Sequence, residues 1–304
     1  ATFNTSLSRG GAGLAWKAIA EARDQALAVA AILRAVRPDV LLVQELDHDP
    51  EGRALDALAG LLAQPGEDGT PGIDYPHRFS APPNTGVPSG LDLDGDGEAR
   101  GPDDAQGWGR FAGQYGMAVL SRLPLDRGAA RTFRRLRWAA MPGALLPAEV
   151  YPPEAPARLR LSSKSHWDLP VVLPDGRRLH LLASHPTPPV FDGPEDRNGR
   201  RNHDEVRFWV DYLSGEGWMV DDAGRAGALG EGASAVVLGD LNADPEDGDG
   251  RRAAIHALLD HPRLTDPRPR SPGAAAAALA QGGANARHLG DPALDTADWR
   301  DERG

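Results

Sequence analysis

Short apolar runs that stop on an acid or an amide limit what this chain can become. The clearest is Val236-Val-Leu-Gly-Asp240-Leu-Asn242, and Val40-Leu-Leu-Val-Gln-Glu45 has the same form. Each is β-rich and bounded by turn-forming or polar residues. Each therefore reads as a buried strand whose polar end opens into a loop. Side chains two apart on extended backbone point the same way, so Asp240 and Asn242 would leave their strand end together. A carboxylate placed there can take a proton from water, and an amide can donate hydrogen bonds to a developing oxyanion. That equipment suits phosphoester hydrolysis; the plainer reading is a polar exit from strand to turn.

The 304 residues suffice for one large α/β domain or two small ones. No run approaches the roughly 18 to 20 apolar residues of a membrane helix. With no cysteine there is no disulfide frame, thiol nucleophile or Cys-ligated zinc. A metal would have to be held by Asp, Glu, Asn and His, which favours hard ions such as Mg2+, Mn2+ or Ca2+. A net charge of −11 disfavours a broad basic face for nucleic acid. It does not exclude a nuclease, because bound cations and local arginines can invert the field. The chain opens on Ala1-Thr-Phe-Asn4, which reads as a strand whose upstream residues were removed. Lack of cysteine fits an exported mature protein or a cytosolic one, with export favoured.

Strands are expected at 2–7, 40–45, 116–121, 158–162 and 236–238. A hairpin is expected from 169–173 to 179–184 around Pro174-Asp175-Gly176. One helix is expected from about 17 to 36, with Ala26, Val29, Leu33 and Val36 on its inner stripe. Others are expected near 52–62, around Val206, Trp209, Val210 and Leu213, and near 253–259; the alanine run 274–278 is helix or connector. Residues 64 to about 113 are rich in Gly, Pro and Asp and read as a long loop insertion. There is no internal repeat and no compositional break, so residues 1–304 read as a single domain. The mixed order of strands, hairpins and helices suggests packed sheets with outer helices.

Asn4, Glu45, His185, Asp240 and Asn242 all fall where strands run out. A carboxylate at Glu45 with Asn4 on another strand is a Mg2+ half-site, since that ion takes one or two carboxylates and keeps waters. His185 enters the stiff Pro186-Thr-Pro-Pro189 loop, which would fix its direction. Taken singly, Glu45 also reads as a surface acid and His185 as a structural histidine.

In order along the chain, Thr2-Phe-Asn4, Pro38-Asp-Val-Leu-Leu-Val-Gln-Glu45, Tyr115-Gly-Met-Ala-Val-Leu-Ser-Arg122, Ala183-Ser-His185 and Gly239-Asp-Leu-Asn242 resemble the endonuclease/exonuclease/phosphatase superfamily, the DNase I-like metal-dependent phosphoesterases. The resemblance implies a four-layer α/β sandwich, two mixed sheets face to face with helices outside, and a site at one end. It implies that Glu45 holds the divalent metal, Mg2+ or Mn2+, with Asn4 beside it or on the phosphate. His185 would hydrogen-bond a phosphate oxygen, Asp240 would orient and deprotonate water, and Asn242 would hold metal, water or the transition-state oxygen. One departure stands out: the family closes on a Ser-Asp-His-like element, and here the chain ends Trp299-Arg-Asp-Glu-Arg-Gly304. Asp266 lacks a following His, and His288 lacks a preceding Asp.

Asp92-Leu-Asp94-Gly-Asp96-Gly97, with Asp103 eleven residues after Asp92, has the ligand spacing of a calcium loop. The alternative is a solvated acidic turn. Asp244, Asp247 and Asp249 form a weaker candidate. Arg131, Arg134, Arg135 and Arg137 read as a solvated strand face or a phosphate-facing run. Lys164 and His166, beside Trp167 and Asp168, are candidates for the substrate side. Asn202 and His203 read as a helix start near the site, with capping favoured.

These features support a metal-dependent phosphoesterase acting on small or accessible phosphodiesters or phosphomonoesters. A DNase-like endonuclease is the alternative within that class. The alternative outside it is a non-catalytic, calcium-stabilised binding module. No protein partner is expected.

Overall fold

A computed structural model describes residues 1–297. In chain order the elements are β1 (Thr2–Asn4), α1 (Leu14–Ala20), α2 (Asp24–Val36), β2 (Val40–Gln44), α3 (Arg53–Ala63), β3 (His77–Ser80) and β4 (Met117–Ser121). There follow β5 (Arg131–Thr132), α4 (Ala155–Arg158), β6 (His166–Val172), β7 (Arg178–Ser184), α5 (Arg197–Ser214), β8 (Ser234–Gly239), α6 (Arg252–Leu259) and α7 (Pro272–Gln281). Two mixed four-stranded sheets run in the orders β1-β2-β4-β3 and β5-β6-β7-β8.

Strand alternation divides the apolar residues among three cores. Leu42, Met117 and Val119 of the first sheet face Trp167, Leu169, Val171, Leu181 and Ala183 of the second. On the opposite face of β2 and β4, Leu41, Val43, Ala118 and Leu120 pack under α1, α2 and α3. Leu182, with Val237 partly buried beside it, packs under Val206, Trp209 and Leu213 of α5 and Ile255 and Leu258 of α6. A period of two along each strand thus gives helix, sheet, sheet, helix.

Both sheets end in a parallel pair. β1 runs beside β2 with Asn4 opposite Gln44, and β7 runs beside β8 with Ser184 opposite Gly239. Parallel pairing brings the C-terminal ends of both strands to one end of their sheet. Asn4 and Glu45 thus leave one sheet there, and His185 and Asp240 leave the other. Gly239 is required at this corner, because a Cβ on it would lie 1.9 Å from the Ser184 carbonyl oxygen.

The structure corrects four expectations. The 17–36 helix is two helices, separated by a turn in which Ala22 takes a left-handed φ of 50°. Val36 is 62% exposed. At about 100° per residue it lies about 70° from the middle of the stripe formed by Ala26, Val29, Ala30 and Leu33, at the stripe's margin, and it is the last residue of α2. Residues 158–162 form no strand: Arg158 ends α4, and a single bridge joins Arg160 to Arg137. Leu159 and Leu161 are buried in different clusters, which produces strand-like alternation without a ladder. The 64–113 segment contains β3, whose half-buried His-Arg-Phe-Ser gives no apolar signal.

Candidate functional site

The two parallel corners meet through one amide. Asn4 Nδ2 donates to Glu45 Oε1 at 3.1 Å and to Asp240 Oδ2 at 2.9 Å, joining residues 236 apart in sequence. His185 Nε2 lies 3.7 Å from Asp240 Oδ2, with the histidine side chain 3% and the aspartate 25% exposed. The site therefore offers an accessible pair of carboxylates over a buried imidazole. Glu45 and Asn242 both take left-handed backbone, at φ 57° and 48°. Such conformations cost non-glycine residues free energy and concentrate where a loop is held for function.

Asn242 reaches the site by a different route from the extended one expected. Asp240 Oδ1 accepts from the Asn242 backbone N–H at 3.2 Å, closing a turn. Asn242 Nδ2 donates to the Pro186 carbonyl at 3.1 Å, tying the turn to the loop that follows His185. The turn and this tether hold Asn242 against the loop that follows His185.

Burial and the nearby Lys164 ammonium hold His185 well below the usual imidazole range, so its ring is neutral at pH 7. Its Nδ1 is buried without a hydrogen-bond partner. Lys164 is itself buried, and that burial lowers its amine from the ordinary value against the opposing charges of Glu205, Asp240 and Glu45. It donates to the Pro186 carbonyl at 3.4 Å. Lys164 thus sits beneath the acids as a counter-charge rather than on the open substrate side. Behind Glu45, Asp47 accepts from Ser8 Oγ at 2.6 Å and from the Arg9 and Tyr115 backbone N–H groups at 3.0 and 3.1 Å. Burial raises Asp47, with those three donors working against it. The Tyr115 ring stands close enough to Glu45 for that charge, together with burial, to raise its phenol.

His166 is not on the substrate side. It is 1% exposed, bonded through one ring nitrogen to Ser162 Oγ and through the other to the Glu205 carbonyl, and packed on Phe208 and Trp209. A cross-strand core position consumed it: His166 pairs with Ser184 at the buried end of β6. Burial lowers its pKa from 6.5 to about 4. An unfolded chain takes up this proton near pH 6.5 and the folded one only near 4. The stabilising difference is therefore complete above 6.5 and disappears as pH falls through that window. We expect about 2 kcal/mol of stability to be lost from this group between pH 7 and pH 5, with His185 adding in the same direction. Urea midpoints across that range measure it, and an unchanged midpoint would contradict neutral burial.

Three residues of α5 hold the site loops and were undervalued in the sequence. Asn202 Nδ2 donates to the carbonyls of Thr187, Leu241 and Asn242 at 2.8, 2.9 and 3.1 Å. Asn202 is therefore a clamp across both loops and caps nothing, since α5 begins at Arg197. Glu205 Oε1 accepts from Ser163 N at 2.6 Å and Oε2 from Thr187 N at 2.6 Å. Trp209 Nε1 donates to Ser184 Oγ at 2.8 Å. The available signal was the apolar stripe itself, which two polar residues interrupt on its inward face.

Arg131 is no phosphate ligand here: it pairs with Asp221 at 3.0 Å and stacks over Phe133 and Tyr212. Asp247 accepts from the backbone N–H groups of Leu289 and Gly290 at 2.8 and 2.7 Å, so the weaker calcium candidate is occupied by the chain's own amides. Asp103 is exposed and outside the acidic group formed by Asp92, Asp94 and Asp96; its neighbour Asp104 is buried instead. Asp266 Oδ1 accepts from Arg268 N at 2.9 Å, and His288 adjoins the segment held by Asp247. Trp299–Gly304, where the closing element was sought, lies outside the described residues. Among the described residues no helix is long and apolar enough to cross a membrane.

Two mixed sheets packed face to face, helices outside and an acid, amide and imidazole cluster at their shared end define a DNase I-like α/β sandwich. The family model described as "Endonuclease/Exonuclease/phosphatase family" matches residues 1–300, and the chain belongs to that family. Among solved structures, an endonuclease/exonuclease/phosphatase from Beutenbergia cavernae is similar at 19% identity and TM-score 0.52, over 90% of this chain and 56% of that one. The chain thus spans little more than half that protein, and the likeness is one of fold. Sphingomyelinase C from Streptomyces griseocarneus matches at 18% identity and TM-score 0.44, over 87% of this chain and 69% of its own. The human Nocturnin catalytic domain matches at 14% identity and TM-score 0.42, over 86% and 68%. No curated protein matches the sequence.

Proposed function

We propose that this chain is a divalent-metal-dependent phosphoesterase that hydrolyses small or accessible phosphodiesters or phosphomonoesters by attack of an activated water. The observation that carries this reading is the convergence of Glu45, Asp240 and His185 through the Asn4 amide. Two carboxylates sharing one amide donor form an all-oxygen site with an excess of negative charge, which fits a hard cation. Glu45 would hold Mg2+ or Mn2+, with Asn4 beside it. When bound, that ion supplies positive charge against the phosphoryl oxygens.

The remaining roles belong to the chain itself. Asp240, partly exposed, is placed to accept the proton of water. Neutral His185 can donate from Nε2 to a phosphate oxygen and stabilise charge there without repelling a second cation. Asn242 closes the Asp240 turn through its backbone N–H and ties it to the loop after His185 through its side-chain amide. Lys164 offsets the paired acids from below, and Asn202 and Glu205 fix both loops.

A DNase-like reading has one observation in its favour. Burial and the neighbouring Arg134, Arg137 and Arg135 lower the Arg160 guanidinium, which marks four crowded cations. This cluster reaches the site segment through Asn84, which accepts from Arg160 Nη1 at 2.6 Å and donates from its backbone to the Lys164 carbonyl at 2.9 Å. The acidic net charge still favours smaller substrates.

The test is hydrolysis of matched aryl phosphomonoester and phosphodiester substrates with Mg2+, Mn2+ or Ca2+ and with chelator. We expect turnover that chelator abolishes and added metal restores. A polynucleotide rate that collapses with salt would favour the DNase-like reading. No turnover with any metal overturns the enzyme reading in favour of a binding module.

A further inference from the structure

The 64–113 insertion returns to the carboxylates of the proposed site and turns an aromatic ring outward there. Trp108 is 47% exposed, and its ring centroid lies 6.1 Å from that of Tyr115 with the planes tilted by 36°. A lone exposed indole is ordinary surface. This one belongs to a pair whose inner member adjoins Glu45.

Tyr115 leads into β4, the neighbour of β2, and is tied to the turn that carries Glu45. The Leu46 N–H donates to the Gly116 carbonyl at 3.1 Å, and the Tyr115 N–H donates to Asp47 Oδ1 at 3.1 Å. Tyr115 takes a left-handed φ of 53°, which costs a non-glycine residue free energy. Burial raises its phenol, Glu45 adds to that rise and Arg110 opposes it, so both charges stand near the ring.

Trp108 is held from the other side. Its neighbours Gly107 and Gly109 are both buried while the indole is turned out. A Cβ on Gly107 would lie 2.2 Å from the Ser163 carbonyl oxygen, and one on Gly109 would lie 2.8 Å from the Gly86 nitrogen. Only glycine lets this backbone press so closely, and the pressed backbone fixes where the indole emerges. Gln114, 2% exposed, braces the loop between the rings. It accepts from the Arg110 N–H at 2.7 Å and donates to the Arg9 carbonyl at 3.0 Å. A ligand that stacks on rings so presented has little left to order.

Two ligand chemistries suit exposed aromatic faces: flat rings stack on them, and quaternary ammonium groups bind by cation–π attraction. Arg110 separates the two. It is exposed beside Tyr115, and among the described residues its guanidinium makes no hydrogen bond or ion pair. An uncompensated cation there repels an ammonium and favours the anionic group of a phosphate ester. At 6.1 Å the two rings leave no room for a third between them, since that takes two contacts of about 3.5 Å. A ligand ring therefore lies on the open face of the indole.

We propose that Trp108 and Tyr115 form a stacking platform for a flat aromatic ring in the organic group of the phosphate ester, with Trp108 setting the preference. It rests on the phosphoesterase reading and narrows the substrate class. The ring can belong to a nucleobase or to an aryl alcohol, since both offer the same π face.

The test is calorimetric titration of the full chain in Mg2+ with phosphonates, whose P–C bond the proposed hydrolysis leaves intact. 2-Phenylethylphosphonate should bind about tenfold tighter than 2-cyclohexylethylphosphonate, its non-planar match. The phosphonate analogue of adenosine 5′-monophosphate supplies the nucleobase arm, and the tighter of the two ring ligands identifies the source. Trp108→Ala should abolish the ring preference and leave methylphosphonate binding unchanged, while Trp108→Phe should retain most of the preference. Unaltered circular dichroism in both variants would establish that the fold survives. The inference is overturned if neither ring ligand outbinds the cyclohexyl compound, if the preference survives Trp108→Ala, or if Trp108 instead selects tetramethylammonium. Methylphosphonate reports the phosphate site alone. Its failure to bind counts against the phosphoesterase reading, whereas its binding without any ring preference counts against the platform only.

Discussion

Asp240→Ala is expected to lower metal-dependent hydrolysis by about three orders of magnitude or more while leaving the fold intact. A positioned general base contributes about 10²- to 10⁴-fold, and the loss here also removes one wall of the charged site. The expected stability effect is small or favourable. Asp240 and Glu45 crowd around a single Asn4 amide, so removing one carboxylate relieves repulsion in the metal-free protein. Lys164 keeps Glu45 and Glu205 as counter-charges. Turnover in saturating Mg2+, measured beside Tm with and without metal, checks both parts. A variant retaining more than about a tenth of the wild-type rate would remove Asp240 from the chemistry.

The largest effect on stability is expected at Glu205. This carboxylate is 1% exposed and accepts from Ser163 N, Ser163 Oγ and Thr187 N at 2.6, 3.0 and 2.6 Å. It is also the first of the charges opposing the burial of Lys164. Glu205→Ala orphans three donors and leaves a buried ammonium without its main counter-charge. We expect a loss of about 3–5 kcal/mol, read as a lowered urea midpoint. Glu205→Gln should lose less, because its oxygen can still accept. Adding Lys164→Met to Glu205→Gln should recover part of that loss, since the cation that needed the carboxylate is then gone. Equal losses in the single and double variants would mean that charge balance between the two side chains is not what holds this region.

Much of the architecture and cluster was visible as pattern, because strands and strand-end polar residues are local features. Val40–Glu45 and Val236–Asn242 announce both the element and the place where it stops. Other features depend on neighbours that spacing does not encode. β3 exists because β4 offers it an edge, while residues 158–162 alternate but find no ladder. The choice between Asp103 and Asp104 depends on which side of a loop turns inward. Asn202 and Glu205 looked like ordinary polar residues of an amphipathic helix. Only the placement of α5 across the loops after β7 and β8 makes them clamps. His166 and Lys164 were equally polar in the sequence, yet two hydrogen bonds and two aromatic rings absorb the first, while the second lies within the field of Asp240 and Glu45.

The Asn4 bridge between Glu45 and Asp240 also governs when the site comes into existence. Its partners lie 41 and 236 residues away along the chain. Contacts of such separation form late, after the loops between them have closed. On a ribosome, the N-terminal sheet with Asn4 and Glu45 emerges long before Asp240, and an early fragment contains half a charge cluster with no opposing wall. The geometry at Asn4 therefore marks completion, since only the docking of one sheet on the other brings the two acids to a common amide.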